Sequence, residues 1–239
     1  MVGLIIFILT FSLQIHAKEL VINCDYNSLL HFKDKNKKEF SGYAIELAQK
    51  VFLSLGLKYK FQMKNTAHNL QALKDGEIDA ILSFERTNSV EDEFQWVGPY
   101  FANEWVLVGK RSKDLRINYL KEATGLKIGA RRFGSFGKLL NSNGLSTKEM
   151  PTSKQLALAL KRDEIDLWAT ESMTFNHYSR LIRFTNYKIA YTSKEKVYIY
   201  MAFNKGVDPK IIAKLNIAFR ELRINGTFKD LQEKYFPNH

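Results

Sequence analysis

Apolar positions along this chain switch repeatedly between the strand period and the helix period. Residues 19–24 alternate and predict a short strand. From Ser41 or Gly42 onward, Ile45, Ala48, Val51, Phe52 and Leu55 recur on one helical face, and Gly56 is a stop signal. Residues 57–63 predict a second strand, 69–75 a short helix with His68 in the loop before it, Gly76 a turn, and 78–83 a buried strand. Further on, 106–108 and 126–130 read as strands. The second of these runs into the Gly-containing stretch 131–137 and a helix through Leu139 and Leu140. A late strand covers 198–203, Asp208-Pro209 caps a helix over 210–224, and a last short helix reaches Tyr235.

One pattern occurs twice. Leu73-Lys74-Asp75-Gly76-Glu77-Ile78-Asp79 resembles Leu160-Lys161-Arg162-Asp163-Glu164-Ile165-Asp166, 87 residues later. Each reads as an amphipathic helix that turns at Gly or an acid into an Ile-Asp-apolar strand. Alternating strands and helices predict an α/β protein, here in two units. Ligands of open α/β sheets bind beyond the carboxyl ends of strands, so the segments after Leu82, Ala130 and Ala169 are candidate walls of a site. Two such units facing each other enclose a cleft.

Composition narrows the class. The 239 residues are 45% hydrophobic and 26% charged, enough apolar material for a core and two lobes of about 100 residues. Residues 1–17 carry no Lys, Arg, Asp or Glu, and their apolar stretch 4–13 is shorter than a bilayer span of about 20 residues. Ending in Ile15-His16-Ala17, they read as a secretory signal cleaved after Ala17, which predicts a periplasmic protein. The single cysteine, Cys24, excludes an intrachain disulfide, and the five histidines show no metal-ligand spacing, so no cofactor or metal is expected. The net charge of +11 is spread along the chain in short runs and predicts a solvated basic surface rather than nucleic-acid binding.

Several segments, in order, resemble the family 3 extracellular solute-binding proteins, the amino-acid receptors of ABC importers. Gly42-Tyr43-Ala44-Ile45-Glu46-Leu47-Ala48 is similar to the family's first helix start, and Gly76-Glu77-Ile78-Asp79-Ala80 to its G-x-x-D-A turn. Phe94 with Val97-Gly98-Pro99-Tyr100 is similar to the segment before the first crossover. Residues 126–130 match a strand, and Glu221-Leu222, Asn225-Gly226-Thr227 and Glu233-Lys234-Tyr235-Phe236 the C-terminal signature. The resemblance implies a bilobal α/β fold of the periplasmic-binding-protein type II. Lobe 1 would be residues 18–101 and 196–239, lobe 2 residues 102–195, with crossovers near 101–104 and 193–196.

It also implies site residues, with departures. Val90 stands where the family's arginine for the ligand carboxylate belongs, in Thr87-Asn88-Ser89-Val90, and the loop Ser83-Phe84-Glu85-Arg86 is one residue short. Arg86 is either a substitute for that arginine or a solvated loop residue. In the second lobe, Gly134 and Ser135 fit the role of N–H and hydroxyl donors at a helix start. Arg131 or Arg132 would supply the missing positive charge, or both point to solvent. Glu171 would receive the ligand ammonium, or else cap the next helix. Tyr26 is the candidate ring over the ligand, with His31 and Trp105 at the cleft mouth and His68 a further candidate. The ligand-binding set is therefore Tyr26, Ser83, Glu85, Arg86, Thr87, Arg131, Arg132, Gly134, Ser135 and Glu171. The expected function is capture of a small polar solute, an amino acid or related compound, by hinge closure. The partners implied are that ligand and an inner-membrane ABC permease, with the chain monomeric and non-enzymatic. The alternatives are an enzyme on this scaffold, similar to the cyclohexadienyl dehydratases, and a sensory or scaffold protein that no longer binds ligand.

Overall fold

A computed structural model describes residues 19–27, 29–33 and 39–236; the proposed signal segment lies outside them. The chain starts with β1 (Leu20–Cys24), followed by a small hairpin of β2 (Phe32–Lys33) and β3 (Phe40–Ser41). Helix α1 (Tyr43–Ser54) buries Ile45, Ala48, Val51 and Phe52, the stripe that the spacing predicts. Gly42 before it has φ 125°, and a Cβ there would lie 2.5 Å from the Leu30 carbonyl oxygen, so only glycine lets the hairpin pack on the helix start.

Strand β4 (Tyr59–Met63), helix α2 (Thr66–Lys74) and strand β5 (Ala80–Glu85) complete the first unit. Helix α2 begins earlier than the apolar spacing predicts, because the Asn65 side chain accepts the His68 N–H and caps it there. His68 therefore belongs to the first helical turn, exposed, and not to a loop near the cleft. Next comes the 16-residue β6 (Gln95–Lys110). The second unit consists of β7 (Ile128–Arg131), α3 (Ser135–Ser142), β8 (Thr147–Met150), α4 (Ser153–Lys161), β9 (Leu167–Glu171) and α5 (Ser172–Leu181). The 17-residue β10 (Tyr187–Phe203) then returns, and α6 (Pro209–Ile224) and α7 (Thr227–Tyr235) end the chain, α6 capped by the Asp208 side chain as predicted.

All strands except β2 and β3 form one mixed sheet in the order β4-β1-β5-β10-β6-β9-β7-β8. Its centre is the antiparallel pair β6 and β10, each long enough to serve both halves. The expected crossover segments thus lie inside two paired strands, where the register slips between Thr192 and Lys196. On either side the parallel triplets β4-β1-β5 and β8-β7-β9 put β1 and β7 in the middle of their halves. The cores segregate accordingly, except that Met173 of α5, in the second half, is buried in the first. Ile22, Phe52, Leu82, Tyr100, Met201 and Phe219 pack in the first half. In the second, Leu107, Leu140 and Leu167 fill one face of the sheet and Leu156, Leu160, Trp168 and Phe175 the other. Among the described residues no helix is long and apolar enough to cross a membrane.

Candidate functional site

The carboxyl ends of the four parallel strands nearest the centre converge on one place. Asp25 comes directly after β1, Glu85 ends β5, Arg131 ends β7 and Glu171 ends β9. The Arg131 guanidinium crosses from one half to the other and ion-pairs with Asp25. Thr66, the first residue of α2, donates its hydroxyl to Asp25 Oδ2 at 2.8 Å and accepts a further Arg131 N–H at 3.3 Å. The Asp25 carboxyl lies below its ordinary value: burial pushes it up, while the neighbouring His31 ring, the Arg131 guanidinium and the Thr66 hydrogen bond pull it down.

Buried His31 backs this pair. Its Nδ1 faces the Asp25 carbonyl oxygen, which can only accept, so Nδ1 carries the proton and Nε2 is left buried without a partner. Burial, the largest influence, lowers the His31 pKa and keeps the ring neutral. The favourable His31 contribution to Asp25 would need a charged ring, so Arg131 is the partner that holds Asp25 ionised. His31 thus stands behind the ion pair instead of at the cleft mouth.

The second pair of strand ends carries two acids. Burial and, after it, the Glu171 charge raise the Glu85 carboxyl to about 7, against the Ser135 hydroxyl, Arg131 and Lys138, which pull the other way. Glu85 Oε2 is shut off from solvent and has no hydrogen-bond partner. Glu171 occupies the position that caps α5, yet its side chain makes no cap bond. Asn103 of β6 does that work, its Oδ1 accepting the Ser172 hydroxyl at 2.7 Å and the Met173 N–H at 3.4 Å. The Glu171 carboxylate is therefore not spent on its helix. Beside it in the sheet, Trp105 pairs with Glu171 across β6 and β9 and stacks flat on Phe136 at 5.1 Å between ring centres. The buried Trp105 indole N–H has no partner.

Of the sequence-predicted residues, Arg131, Ser135, Glu85 and Glu171 meet here, with Gly134 capping the start of α3. The others do not. Arg86 turns outward, bonding Glu91 through Nε at 2.7 Å and lying over the Tyr200 and Trp96 rings at 5.1 and 5.6 Å. Arg132 is exposed, 4.0 Å from Glu149. Thr87 bonds Ser89 in the same outer turn. Ser83 points into the first core: the Tyr100 hydroxyl gives its proton to the Leu82 carbonyl, so Ser83 donates to Tyr100. Tyr26 is 62% exposed and covers nothing. These five predicted residues lie outside the cluster, and the reason is shared. Residues just past a strand end alternate between the cleft and the flank, and without the register the side is not readable. Asp25 and Thr66 are the residues the sequence reasoning missed. Their placement follows from the equivalent positions of β1 and β7 in the two halves and from the Asn65 cap that starts α2 at Thr66.

This arrangement, two α/β halves with a polar cluster closed between them, is that of a solute-binding protein. The family model for bacterial extracellular solute-binding proteins, family 3, matches residues 21–238. The chain belongs to that family. It is 21% identical to the L-cystine-binding protein TcyA of Bacillus subtilis, over 86% of this chain and 76% of that one. It is 25% identical to the arginine-binding extracellular protein ArtP of the same organism, over 86% and 81%. Among solved structures, a histidine kinase sensor domain with similarity to periplasmic binding proteins superposes with TM-score 0.82 at 19% identity, covering 92% of this chain and 96% of that one.

Proposed function

We propose that this protein captures a small amine-bearing polar solute, an amino acid or related compound, in the periplasm and presents it to an ABC permease. The observation that carries this reading is the polar cluster that exists only when the halves meet. Asp25, Thr66 and Glu85 come from one half, Arg131, Ser135 and Glu171 from the other. Such contacts select the closed state, and a ligand that adds to them shifts the population toward it. The lobes are residues 18–101 with 196–239, and 102–195, a division supported by the segregated cores. The hinge is the β6–β10 ribbon around its register slip. Relatives named for cystine and arginine binding support an amino-acid-like ligand. Family membership favours capture over catalysis, and the protein is read as a monomer that needs no cofactor. Export rests on residues 1–17, and an N-terminus at Lys18 on periplasmic protein checks it.

The test is a thermal-shift screen of a mixed amino-acid and amine pool, then small-angle scattering. A hit should raise the melting temperature and reduce the radius of gyration without turnover of the ligand. Turnover would assign an enzyme instead, and no hit at all would remove the capture reading.

A further inference from the structure

We propose that the solute seated between the lobes is an organic cation without a free carboxylate, a diamine or an amine whose acid is absent or masked, held by an ammonium between Glu85 and Glu171. This names the ligand class of the site proposed above and rests on that reading.

Charge decides the ligand class. Three carboxylates, Asp25, Glu85 and Glu171, stand at the junction against one arginine, Arg131. Arg131 is already committed to Asp25 and Thr66. Arg86 and Arg132 lie outside, and exposed Lys138 acts on Glu85 only through its field. A ligand carboxylate entering this space would meet a spent arginine and two acids, and burying it unpaired is prohibitive. A ligand cation meets the opposite. Glu85 Oε2 is sealed without a donor, and Glu171 leaves its helix uncapped by its own side chain. An ammonium has three N–H donors and no acceptor, so one such group can serve carboxylates on both walls at once. The other donors at the site, the Trp105 indole N–H and the start of α3, which no side chain caps, carry no full charge. They suit a hydroxyl or amide oxygen and leave the two acids without a neutralising partner. Nor is the cation a metal, since the described residues hold no group of three His, Cys, Asp or Glu placed to ligate one.

Calorimetry on the purified protein with two probe pairs, lysine against cadaverine and arginine against agmatine, isolates the carboxylate, because each pair differs by that group. The amine of at least one pair should bind at least about tenfold tighter than its parent amino acid. Glu85→Gln should weaken that amine by about thirtyfold or more, the loss of a buried charge partner, while Arg86→Ala changes it less than about threefold. Circular dichroism on each variant confirms the fold. A parent amino acid that binds equally or more tightly overturns the inference and leaves solute capture standing. So does binding of an amino acid from a mixed pool when neither amine binds, and so does an amine indifferent to Glu85→Gln. If neither the probes nor the pool bind, capture falls as well.

Discussion

Strands β1 and β7 hold the same place in their halves, but the residues at their carboxyl ends differ in charge. Ile22 and Asn23 pair with Ala80 and Ile81 of β5, just as Ile128 and Gly129 pair with Leu167 and Trp168 of β9. Carried forward, that register puts Asp25 and Arg131 at equivalent positions. One is an acid and one a base, so they complete each other across the cleft. The neighbouring strand ends, Glu85 and Glu171, are one residue out of strict register and are both acids. Opposite charges attract each other across the cleft, whereas like charges need a third group between them. The same architecture therefore supplies a latch at one pair of positions and a demand for ligand at the other.

The likeness of the halves extends upstream without a gap. Helices α2 and α4 are each nine residues, capped by Asn65 on the His68 N–H and by Thr152 on the Gln155 N–H, positions 87 apart. Both end in a left-handed residue, Gly76 at φ 74° and Asp163 at φ 60°. Where the two differ is where they pack on the central strand. In the first half, Asn23 donates to Asn69 at 3.0 Å, and Asn69 in turn donates to the Lys64 carbonyl, tying down the loop that delivers Thr66. In the second, the matching pair is Gly129 and Leu156, where a Cβ on the glycine would sit 2.8 Å from Leu156 Cδ2. Installing the second solution in the first half gives the largest expected effect. Asn69→Leu should cost about 3 kcal/mol in urea denaturation, because it strands a buried amide and a carbonyl. The double variant Asn23→Ala/Asn69→Leu removes both partners and should recover to within about 1 kcal/mol of wild type. A double variant as unstable as the single would show that packing and not the orphaned amide sets the cost.

The strand starts carry a smaller version of the same contrast. Asp79 gives its N–H to the Val21 carbonyl and accepts the Val21 N–H on its side chain, at 2.9 Å each. Asp166 does the same with Lys127, at 2.8 Å each. Asp79 is buried, while Asp166 is partly exposed and bonded to Lys113 at 2.5 Å. Water can replace the acceptor in the second case and not in the first. Asp79→Ala should cost about 2 kcal/mol and Asp166→Ala under about 1 kcal/mol in the same denaturation experiment. Equal losses would mean that burial does not distinguish the two brackets.

How far the sequence reaches can be judged on these elements. The turn repeat is written in it, since Gly or Asp at the stop and Ile-Asp after it are local requirements. The strand cores are legible too, because runs such as Ala80-Ile81-Leu82 are apolar on both faces. Strand β8 was not, being a four-residue edge whose two middle residues, Lys148 and Glu149, are both charged and exposed. The full lengths of β6 and β10 were hidden because polar residues such as Asn103, Glu104 and Lys196 interrupt them at the ribbon. Arg86 and Arg131 look alike in sequence, each at the end of a strand. Their opposite fates depend on which side the chain leaves the sheet, a tertiary fact. The Asp25–Arg131 pair lies 106 residues apart in the chain and shows only once the two halves are registered against each other.

The finest test of the latch-and-demand contrast is the response of the empty protein to pH. Asp25 has its carboxyl held low, and burial lowers the His31 pKa and favours its neutral ring, so neither shift moves a latch group toward neutral pH. Glu85 does change: its closed-state pKa is raised to about 7 by burial and by Glu171, above the ordinary 4.5. A carboxyl whose pKa is raised in the closed state binds more protons closed than open, so closure is favoured at low pH and loses that advantage as pH rises through about 7. Arg131, Lys138 and the Ser135 hydroxyl, which face Glu85 from β7 and α3, already oppose the shift and are part of the value. Parting the lobes rehydrates the carboxylate, so deprotonation shifts the closed-to-open ratio toward the open state. Without ligand, the radius of gyration from small-angle scattering should therefore grow from pH 5.5 to pH 8 in the wild type. Glu85→Gln has no proton to lose and should stay compact at both. An equal expansion in the variant would assign the pH response to the Asp25–Arg131–His31 cluster instead, and would place the sensitive element at the latch.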